Sequence, residues 1–160
     1  MKNKKLALVI AAVLTALICS VITAGFSCPF FSQMNGGYVA SLLKSSWDVD
    51  LPENAKVLYY VENTGFSGDG DRYYVLKYEE EPTELLENFK FERDDAFENS
   101  FRDWFGSCID TAENEVPEKY KPDLSKEYFW VYMTKEIISD KLYLLYYPET
   151  LTLYVLMYHV

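Results

Sequence analysis

The sequence predicts an α+β domain with a mostly antiparallel five-stranded sheet, preceded by an N-terminal transmembrane helix. Three observations lead to this prediction: an uncharged apolar run near the N-terminus, five later segments in which β-branched and aromatic residues alternate with a period of two, and apolar residues at helical spacing between them. The order ββααβββ favours an antiparallel sheet with helices packed on one face. With 160 residues in total, the chain has room for one small domain after the apolar run.

The apolar run begins at Leu6 and ends at Phe26, directly after a basic N-terminus. A helix needs about 20 apolar residues to span a bilayer, whereas the apolar part of a secretory signal has about 7 to 15. Because the lysines precede the run, the positive-inside rule predicts a single-pass cell-membrane protein with a cytoplasmic N-terminus and an extracytoplasmic C-terminal domain. Two alternatives stay open: cleavage followed by secretion, or lipidation of Cys28, since residues 25–28 (GFSC) resemble a bacterial lipoprotein box.

Residues 1–27 are therefore predicted to be the anchor or signal, residues 28–37 a juxtamembrane linker, and residues 38–160 the extracytoplasmic domain. The linker contains a proline and ends in a glycine pair, which disfavours regular structure. The domain opens with YVASLLKSSW, whose apolar residues have helical spacing and predict a packing helix. The sequence leaves open whether Cys28 forms a disulfide with Cys108.

The first two strands are predicted at residues 56–62 and 72–79, joined as a hairpin by residues 63–71. This connection contains three glycines, which reach positive φ at low cost, and aspartates, which can hydrogen-bond their own backbone, so its composition indicates a turn. Asp69 and Asp71 also make the loop a candidate calcium site, although it lacks the later glutamate of an EF-hand loop. The loop has no lysine and leads into a strand, which argues against a phosphate-binding loop.

Two helices are predicted in the central third of the chain. Residues 82–89 begin with proline, which is favoured at the first helical position, and their apolar residues lie along one face. Asp94 is predicted to cap a second helix, because aspartate accepts hydrogen bonds from the free N–H groups of a first turn. An apolar stripe follows this cap at helical spacing and is predicted to face the core. The stripe consists of Phe97, Phe101, Trp104, Phe105 and Cys108.

Three further strands are predicted at residues 128–135, 141–147 and 151–160, and the last two form a hairpin because only three residues separate them. Alternation assigns the side chains of these strands to two faces, and the helical phenylalanines are predicted to pack on the first, aliphatic face. The aliphatic face consists of Phe129, Val131, Met133, Leu142, Leu144, Leu151, Leu153, Val155 and Met157. The tyrosine face consists of Tyr128, Trp130, Tyr132, Tyr143, Leu145, Tyr147, Tyr154, Leu156 and Tyr158.

The tyrosine face predicts a binding surface for a protein or glycan partner outside the cytoplasm. Tyrosine provides a large, stiff contact area with a hydroxyl at its end, and it is enriched at interfaces. The alternative is a structural role, since tyrosine favours strands and cross-strand aromatic pairs stabilise a sheet. The predicted contact residues are Tyr128, Trp130, Tyr132, Tyr143, Tyr147, Tyr154 and Tyr158.

The charge of the chain is strongly negative. Three of the 15 basic residues lie among the first five positions, which leaves 12 basic residues against 25 acidic residues in the remainder. Such a domain repels phosphate backbones, and its lysines form no continuous stripe, so binding to nucleic acid is not expected. The same acidity supports an alternative function, in which an immunity- or inhibitor-type protein caps a basic partner.

The sequence contains no recognisable catalytic or metal-binding set. His159 is the only histidine and the penultimate residue, which argues against a catalytic triad, and the cysteines lack the spacing of a zinc site. Acidic pairs are abundant, so a cell-envelope hydrolase with two catalytic carboxylates stays open as an alternative. No catalytic residue and no cofactor is predicted.

Several short motifs follow one another in order: LPENAKVLYYVE, then TGFSGDGDRYYVLKY, and at the end LYLLYYPETLTLYVLMY. Together with the basic N-terminus and the apolar run, this order resembles small membrane-anchored or lipoprotein-type extracytoplasmic proteins of Gram-positive bacteria, in which a G-F-x-G-D-G turn precedes a strand and an aromatic hairpin closes the chain. The resemblance covers about two thirds of the chain and implies a cell-envelope context without a particular reaction. The sequence therefore predicts a membrane-tethered binding or interaction module and not an enzyme.

Overall fold

A computed structural model describes residues 35–65, 68–135 and 139–159 of the chain. The strands are β1 (Lys56–Thr64), β2 (Gly70–Lys77), β3 (Phe129–Lys135), β4 (Asp140–Tyr147) and β5 (Thr152–His159). They form one open sheet in the order β1-β2-β5-β4-β3, and every neighbouring pair is antiparallel. The α+β class and the five antiparallel strands predicted from the alternation are thereby confirmed.

Within the described ranges, three α-helices accompany the sheet: α1 (Gly36–Trp47), α2 (Thr83–Leu86) and α3 (Asp95–Trp104). α3 continues directly into a π-helical turn, Phe105–Ile109. No helix in this part of the chain is long and apolar enough to cross a membrane. The apolar run that ends at Phe26, for which a transmembrane helix is predicted, lies outside the described residues.

Both predicted hairpins are present. β1 and β2 pair up to Thr64, which lies opposite Gly70. Gly70 has a φ of 134°, and a Cβ atom there would lie 2.1 Å from the carbonyl oxygen of Asn63, so this end of the hairpin requires glycine. β4 and β5 are joined by the 3-10 turn Pro148–Thr150.

Helices cover both faces of the sheet, which corrects the predicted packing on one face. α1 lies on the aliphatic face, where Val39, Leu43 and Trp47 are buried in one cluster with Leu144 and Val155. α3 and its π-helical turn lie on the tyrosine face. The side chains of the strands alternate between the two faces as predicted. The structure differs from the prediction only in which helix covers which face.

The phenylalanines of α3 pack on the tyrosine face and not, as predicted, on the aliphatic face. Phe97 stacks on Trp130 with ring centroids 4.2 Å apart, and Phe101 contacts Tyr143 edge to face at 5.9 Å. Offset and edge-to-face aromatic pairs are favourable beyond the burial of their area. The phenyl rings therefore make more favourable contacts on the tyrosine face than on the aliphatic face. The branched side chains of the aliphatic face pack against Leu43 of α1.

α1 begins two residues before the predicted domain boundary. Asn35 caps this helix, because its side chain accepts a hydrogen bond from the N–H of Tyr38 at 2.9 Å. Gly36 lies so close to the following turn that a Cβ atom would be 2.3 Å from the carbonyl oxygen of Ala55. Gly36 and Gly37, predicted to interrupt the linker, thus form the first helical turn.

In the central third, one predicted helix is confirmed and the other is shorter than predicted. Asp94 caps α3 by accepting a hydrogen bond from the N–H of Phe97 at 3.0 Å. The helix predicted for residues 82–89 is reduced to the single turn of α2. Lys90 pairs with Trp130 through two backbone hydrogen bonds, which requires extended chain beside β3 and ends helical structure before it.

Candidate acidic binding cleft

Most residues of the predicted tyrosine binding surface lie in the interior. Tyr128, Trp130, Tyr143 and Tyr147 are each at most 5% exposed, because α3 and the chain that follows it cover them. A side chain without exposed surface does not contact a partner while α3 stays in place. Their burial favours the structural role that the sequence left open as the alternative.

The other predicted contact residues keep some surface. Tyr132 is 41% exposed on the edge strand β3, and its ring packs against that of Tyr143 at 4.8 Å. Tyr154 and Tyr158 are half-buried, and Tyr158 contacts the ring of Trp104 in α3 at 5.2 Å. Contact with a partner would therefore depend mainly on one well-exposed ring of the predicted set, Tyr132, and not on a continuous aromatic face.

A buried carboxylate holds α3 against the tyrosine face. Glu98 is 7% exposed, and its Oε1 accepts hydrogen bonds from the hydroxyl of Tyr128 at 2.7 Å and from Nε of Arg93 at 3.0 Å. Burial alone would raise the pKa of Glu98, but the Tyr128 hydroxyl and the Arg93 guanidinium outweigh burial and hold that pKa below its usual value. The carboxylate is thus ionised at neutral pH and ties α3 to the start of β3.

Asp71, one of the two calcium candidates, faces α3. Its Oδ1 accepts a hydrogen bond from Nε1 of Trp104 at 2.9 Å, and burial raises its pKa. The backbone carbonyl of Asp69 accepts a hydrogen bond from the N–H of Gly65 at 2.7 Å inside the loop. Nowhere in the described ranges do three or more acidic, cysteine or histidine side chains come together to hold a metal ion. These contacts favour a structural turn.

The remaining candidate groups also have structural contacts. Cys108 is half-buried with its Sγ 3.4 Å from Oγ of Ser107, and burial raises the pKa of its thiol, which makes it a poor nucleophile. Cys28, the candidate for lipidation or for a disulfide, lies outside the described residues. Nδ1 of His159 lies 2.7 Å from Oδ2 of the buried Asp140, so the histidine joins the ends of β4 and β5.

An acidic cleft opens on the aliphatic side of the sheet, beside the C-terminal end of α1. Its volume is about 610 Å³. The apolar floor consists of Val49, Leu85, Phe89, Val131, Met133 and Leu144. The rim carries the carboxylates of Asp48, Asp50 and Glu87. Negatively charged side chains therefore surround an apolar base.

Two anchored turns form the walls of the acidic cleft. α1 ends at Asp48, whose φ of 55° lies in the left-handed region and turns the chain away from the helix axis. Leu51 is buried and fixes the following turn in the core. On the opposite wall, the buried Leu85 fixes α2 against the same core cluster. The rim carboxylates thus sit on segments that buried leucines hold in place.

Lys44 partly neutralises one wall of the cleft. Its Nζ lies 2.8 Å from Oδ1 of Asp48 and 2.8 Å from Oδ2 of Asp50, and its hydrogen bond and charge lower the pKa of Asp48. All three side chains are at least half exposed, and exposed ion pairs contribute little and exchange readily with other cations. Lys135 brings a second ammonium group to this end of α1, where its Nζ donates a hydrogen bond to the carbonyl of Ser46. With Glu87, three carboxylates line the cleft beside these two ammonium groups, so a net negative charge remains.

A second cleft, of about 630 Å³, lies between α3 and residues 110–125. Four of its five charged side chains take part in ion pairs, and the fifth, Asp123, accepts a hydrogen bond from the hydroxyl of Ser125 at 2.6 Å. Lys121 lies 2.8 Å from Asp110 and 3.6 Å from Glu118, and Arg102 lies 3.4 Å from the buried carboxylate of α3. Side chains of both charges therefore line the second cleft, whereas each charged side chain that lines the acidic cleft is a carboxylate.

The acidic cleft was not predicted from the sequence. Its rim aspartates belong to a short segment that no sequence motif singles out, and its floor brings together apolar residues of that segment, of the helix predicted for residues 82–89 and of two strands predicted to be covered by helices. The available signal was the general excess of acids, which predicts a basic partner but does not locate the site.

Comparisons with protein-family models, with curated proteins and with solved structures found no match to this chain. The resemblance to small membrane-anchored or lipoprotein-type proteins therefore stays a prediction from short motifs.

Proposed function

We propose that this chain is a membrane-tethered extracytoplasmic binding domain that holds a basic partner in the acidic cleft. The observation that carries the proposal is the apolar floor surrounded by carboxylates. A partner can bury an apolar side chain on the floor while a neighbouring cation meets the rim. Capture or capping of a basic protein segment is therefore the preferred function.

The size of the cleft supports a peptide or a protein loop as the occupant. Its volume of about 610 Å³ falls within the range of about 300–1,000 Å³ that is usual for ligand sites. Six apolar side chains line it, and they supply contact area for an apolar side chain of the partner. The rim carboxylates add a preference for positive charge on either side of that side chain.

The charge of the whole domain supports the same partner. Beyond the first five positions, the chain has 12 basic and 25 acidic residues. This excess attracts a basic partner over a Debye length of about 8 Å at physiological ionic strength and speeds association. We expect the association rate to fall as salt is added, whereas the apolar contact is largely insensitive to salt.

Hydrolysis by a carboxylate pair is less favoured. A general acid needs a raised pKa, whereas the hydrogen bond and the charge of Lys44 lower the pKa of Asp48 in the cleft. Asp71 has a pKa raised by burial, but the indole of Trp104 occupies its Oδ1. The hydrolase alternative would be favoured again if Asp48→Asn or Asp71→Asn abolished an envelope phenotype while the binding of basic probes stayed unchanged.

The membrane tether rests on the predicted anchor that begins at Leu6. Cell fractionation with mass spectrometry of the mature N-terminus separates the three alternatives. An intact Met1 in the membrane fraction indicates the anchor, a diacylated Cys28 indicates a lipoprotein, and a free domain in the medium indicates secretion.

Three blocked peptides test the binding proposal on the full chain in lipid nanodiscs: Lys-Phe-Lys, Lys-Ser-Lys and Glu-Phe-Glu. We expect Lys-Phe-Lys to shift the methyl resonances of Val131 and Met133, since its ring reaches the floor and its ammonium groups reach the rim. Lys-Ser-Lys should bind more weakly because it has no apolar side chain. Glu-Phe-Glu should not bind, because the rim repels it.

A charge-matched pair of variants makes the test specific. The double substitution Asp50→Asn and Glu87→Gln removes two rim charges and should weaken Lys-Phe-Lys binding about 3- to 10-fold. The control, Glu113→Gln with Glu115→Gln, removes two exposed charges that do not line the cleft and should bind like the wild type. Equal effects of the two pairs, or equal binding of the acidic peptide, would overturn the proposal.

A further inference from the structure

One edge strand of the sheet, β3, is paired on its outer side along only part of its length. Trp130 directs its backbone N–H and carbonyl away from β4, because both bond to Lys90, at 2.8 and 2.9 Å. Since every second residue of an antiparallel strand directs these groups to the same side, Tyr132 and Thr134 also direct theirs outward. In the described part of the chain, no backbone group pairs with them there. Four hydrogen-bonding groups therefore form an open edge beside the Lys90 bridge.

β1, the opposite edge of the sheet, is protected against pairing with a further strand. Its register with β2 shifts between Val57 and Tyr59, which interrupts the regular row of outward backbone groups. Asn35 also pairs with Lys56 at the start of this strand. The register of β3 with β4 has no such shift over its whole length. The open edge of β3 therefore keeps the regular geometry that an added strand needs.

The open edge of β3 borders the acidic cleft. Val131 and Met133 alternate with the two outward-directed residues, and both side chains belong to the floor of the cleft. Residues directly opposite each other in neighbouring strands have their side chains on the same face, with Cβ atoms about 4.5–5.5 Å apart. In a strand added to β3, the residue opposite Met133 therefore directs its side chain into the cleft. The residues two positions before and after it, about 6.8 Å away along the strand, point to the same side.

We propose that the basic partner binds as an extended segment that adds a sixth strand, antiparallel to β3, at Tyr132 and Thr134. The backbone of this segment pairs with the open edge, while an apolar side chain and a basic side chain two positions away enter the acidic cleft. The antiparallel direction is that of the Lys90 bridge. Because Lys90 fills the position opposite Trp130, the added strand has room opposite residues 131–135. The inference rests on the proposed function, because the segment belongs to the partner that occupies the cleft.

Charge favours this partner over a second copy of the chain. Beyond the first five positions, each copy has 12 basic and 25 acidic residues, so two copies repel each other. The three carboxylates of the rim attract basic side chains on the cleft side of an added strand. Lys135, the last residue of β3, directs its ammonium group to α1, where its Nζ lies 4.8 Å from the ring centre of Trp47. We therefore expect a partner segment of the form Lys-x-apolar-x-Lys.

The backbone pairing is tested with blocked Lys-Thr-Phe-Thr-Lys on the full chain in nanodiscs. With the phenylalanine ring in the cleft, the N–H groups of both threonines face β3, and the N–H of the phenylalanine faces away. N-methylation of the second threonine should weaken binding at least about threefold, because it removes one neutral hydrogen bond. N-methylation of the phenylalanine is the matched control and should leave the affinity unchanged. Equal effects of the two modifications would overturn the inference.

Amide hydrogen exchange locates the pairing on the protein. In the free chain, the N–H groups of Tyr132 and Thr134 should exchange faster than those of Val131 and Met133, which bond to β4. The basic peptide should slow exchange at Tyr132 and Thr134. Thr134→Pro removes an outward N–H, which an edge strand tolerates, and should weaken peptide binding at least about threefold, whereas Thr134→Ala keeps this N–H and should bind like the wild type. Unchanged exchange on binding, or equal binding by the two variants, would overturn the inference.

The same measurements separate this inference from the proposed function. If the basic peptide shifts the methyl resonances of Val131 and Met133 but both N-methylated peptides bind alike, strand addition fails and the proposed function stands. If blocked Glu-Thr-Phe-Thr-Glu slows exchange at Tyr132 and Thr134 as much as the basic peptide does, the edge pairs with strands of either charge. The proposed function then fails, and only the backbone pairing stands.

Discussion

Glu98→Gln is expected to loosen α3 from the sheet. The buried carboxylate of Glu98 accepts hydrogen bonds from the hydroxyl of Tyr128 at 2.7 Å and from Nε of Arg93 at 3.0 Å. Glutamine keeps one acceptor oxygen but loses the charge, and its amide turns a donor towards Arg102. A hydrogen bond to a charged group contributes about 1.5–3 kcal/mol to stability. Because the half-exposed Arg93 can be solvated again in the variant, the unfolding free energy should fall by about 1.5–3 kcal/mol and not by more.

The same substitution should change the dependence of stability on pH. The pKa of Glu98 is lower in the folded chain than in the unfolded chain, so its stabilisation is fully present above the unfolded value of about 4.3. This stabilisation is lost as the pH falls through the folded value. Since glutamine does not titrate, the difference in unfolding free energy between wild type and Glu98→Gln should shrink below about pH 4.

Urea unfolding of the full chain in detergent micelles, followed by tryptophan fluorescence, measures both effects. Trp130 stacks on Phe97 of α3 and should report the release of this helix. Tyr128→Phe removes one partner of Glu98, and a double-mutant cycle should show coupling of about 0.5–3 kcal/mol. Glu113→Gln, an exposed change of the same chemistry, is the control. A loss below about 0.5 kcal/mol for Glu98→Gln, or no coupling with Tyr128, would refute this account of the helix.

Four further substitutions test the packing by urea unfolding. Tyr147→Phe should leave the unfolding free energy unchanged or raise it by up to about 1 kcal/mol, because the buried hydroxyl has no partner in the described ranges; a large loss would contradict this. Tyr132→Ser should lower the unfolding free energy by less than about 1 kcal/mol, because this ring is exposed. Phe97→Ala should lower it by about 3–5 kcal/mol, because this ring is buried. Equal losses for the two substitutions would contradict the placement of α3. Gly70→Ala should cost more than about 1 kcal/mol because of its φ of 134°, and faster amide exchange in β1 and β2 would locate the damage.

The strands and their two faces could be predicted because their signals are local. Alternation along a strand decides which side chains share a face, whatever covers that face later. The helix cap at Asp94 and the turn at Gly70 are equally local, since each depends on a few neighbouring backbone groups. These features therefore appear in the structure close to where the sequence places them.

The covering of the faces and the cleft depend on contacts between distant parts of the chain. Both faces of the sheet are apolar enough to be buried, so only contacts such as that of Phe97 with Trp130 decide which helix covers which face. The walls of the acidic cleft, at Asp50 and Glu87, come together only when α1 and α2 pack on the sheet. No local sequence pattern predicts such a cleft. The tyrosine face has the clearer sequence pattern, but most of its tyrosines are buried.

The most direct test of the central claim is the binding of blocked Lys-Phe-Lys to the full chain in nanodiscs, followed by methyl resonances. We predict that Val131 and Met133 shift, that Asp50→Asn with Glu87→Gln weakens binding about 3- to 10-fold, and that the remote control variant does not. Shifts confined to the ring resonances of Tyr132, or equal binding of Lys-Phe-Lys and Glu-Phe-Glu, would contradict the claim that the acidic cleft is the functional surface.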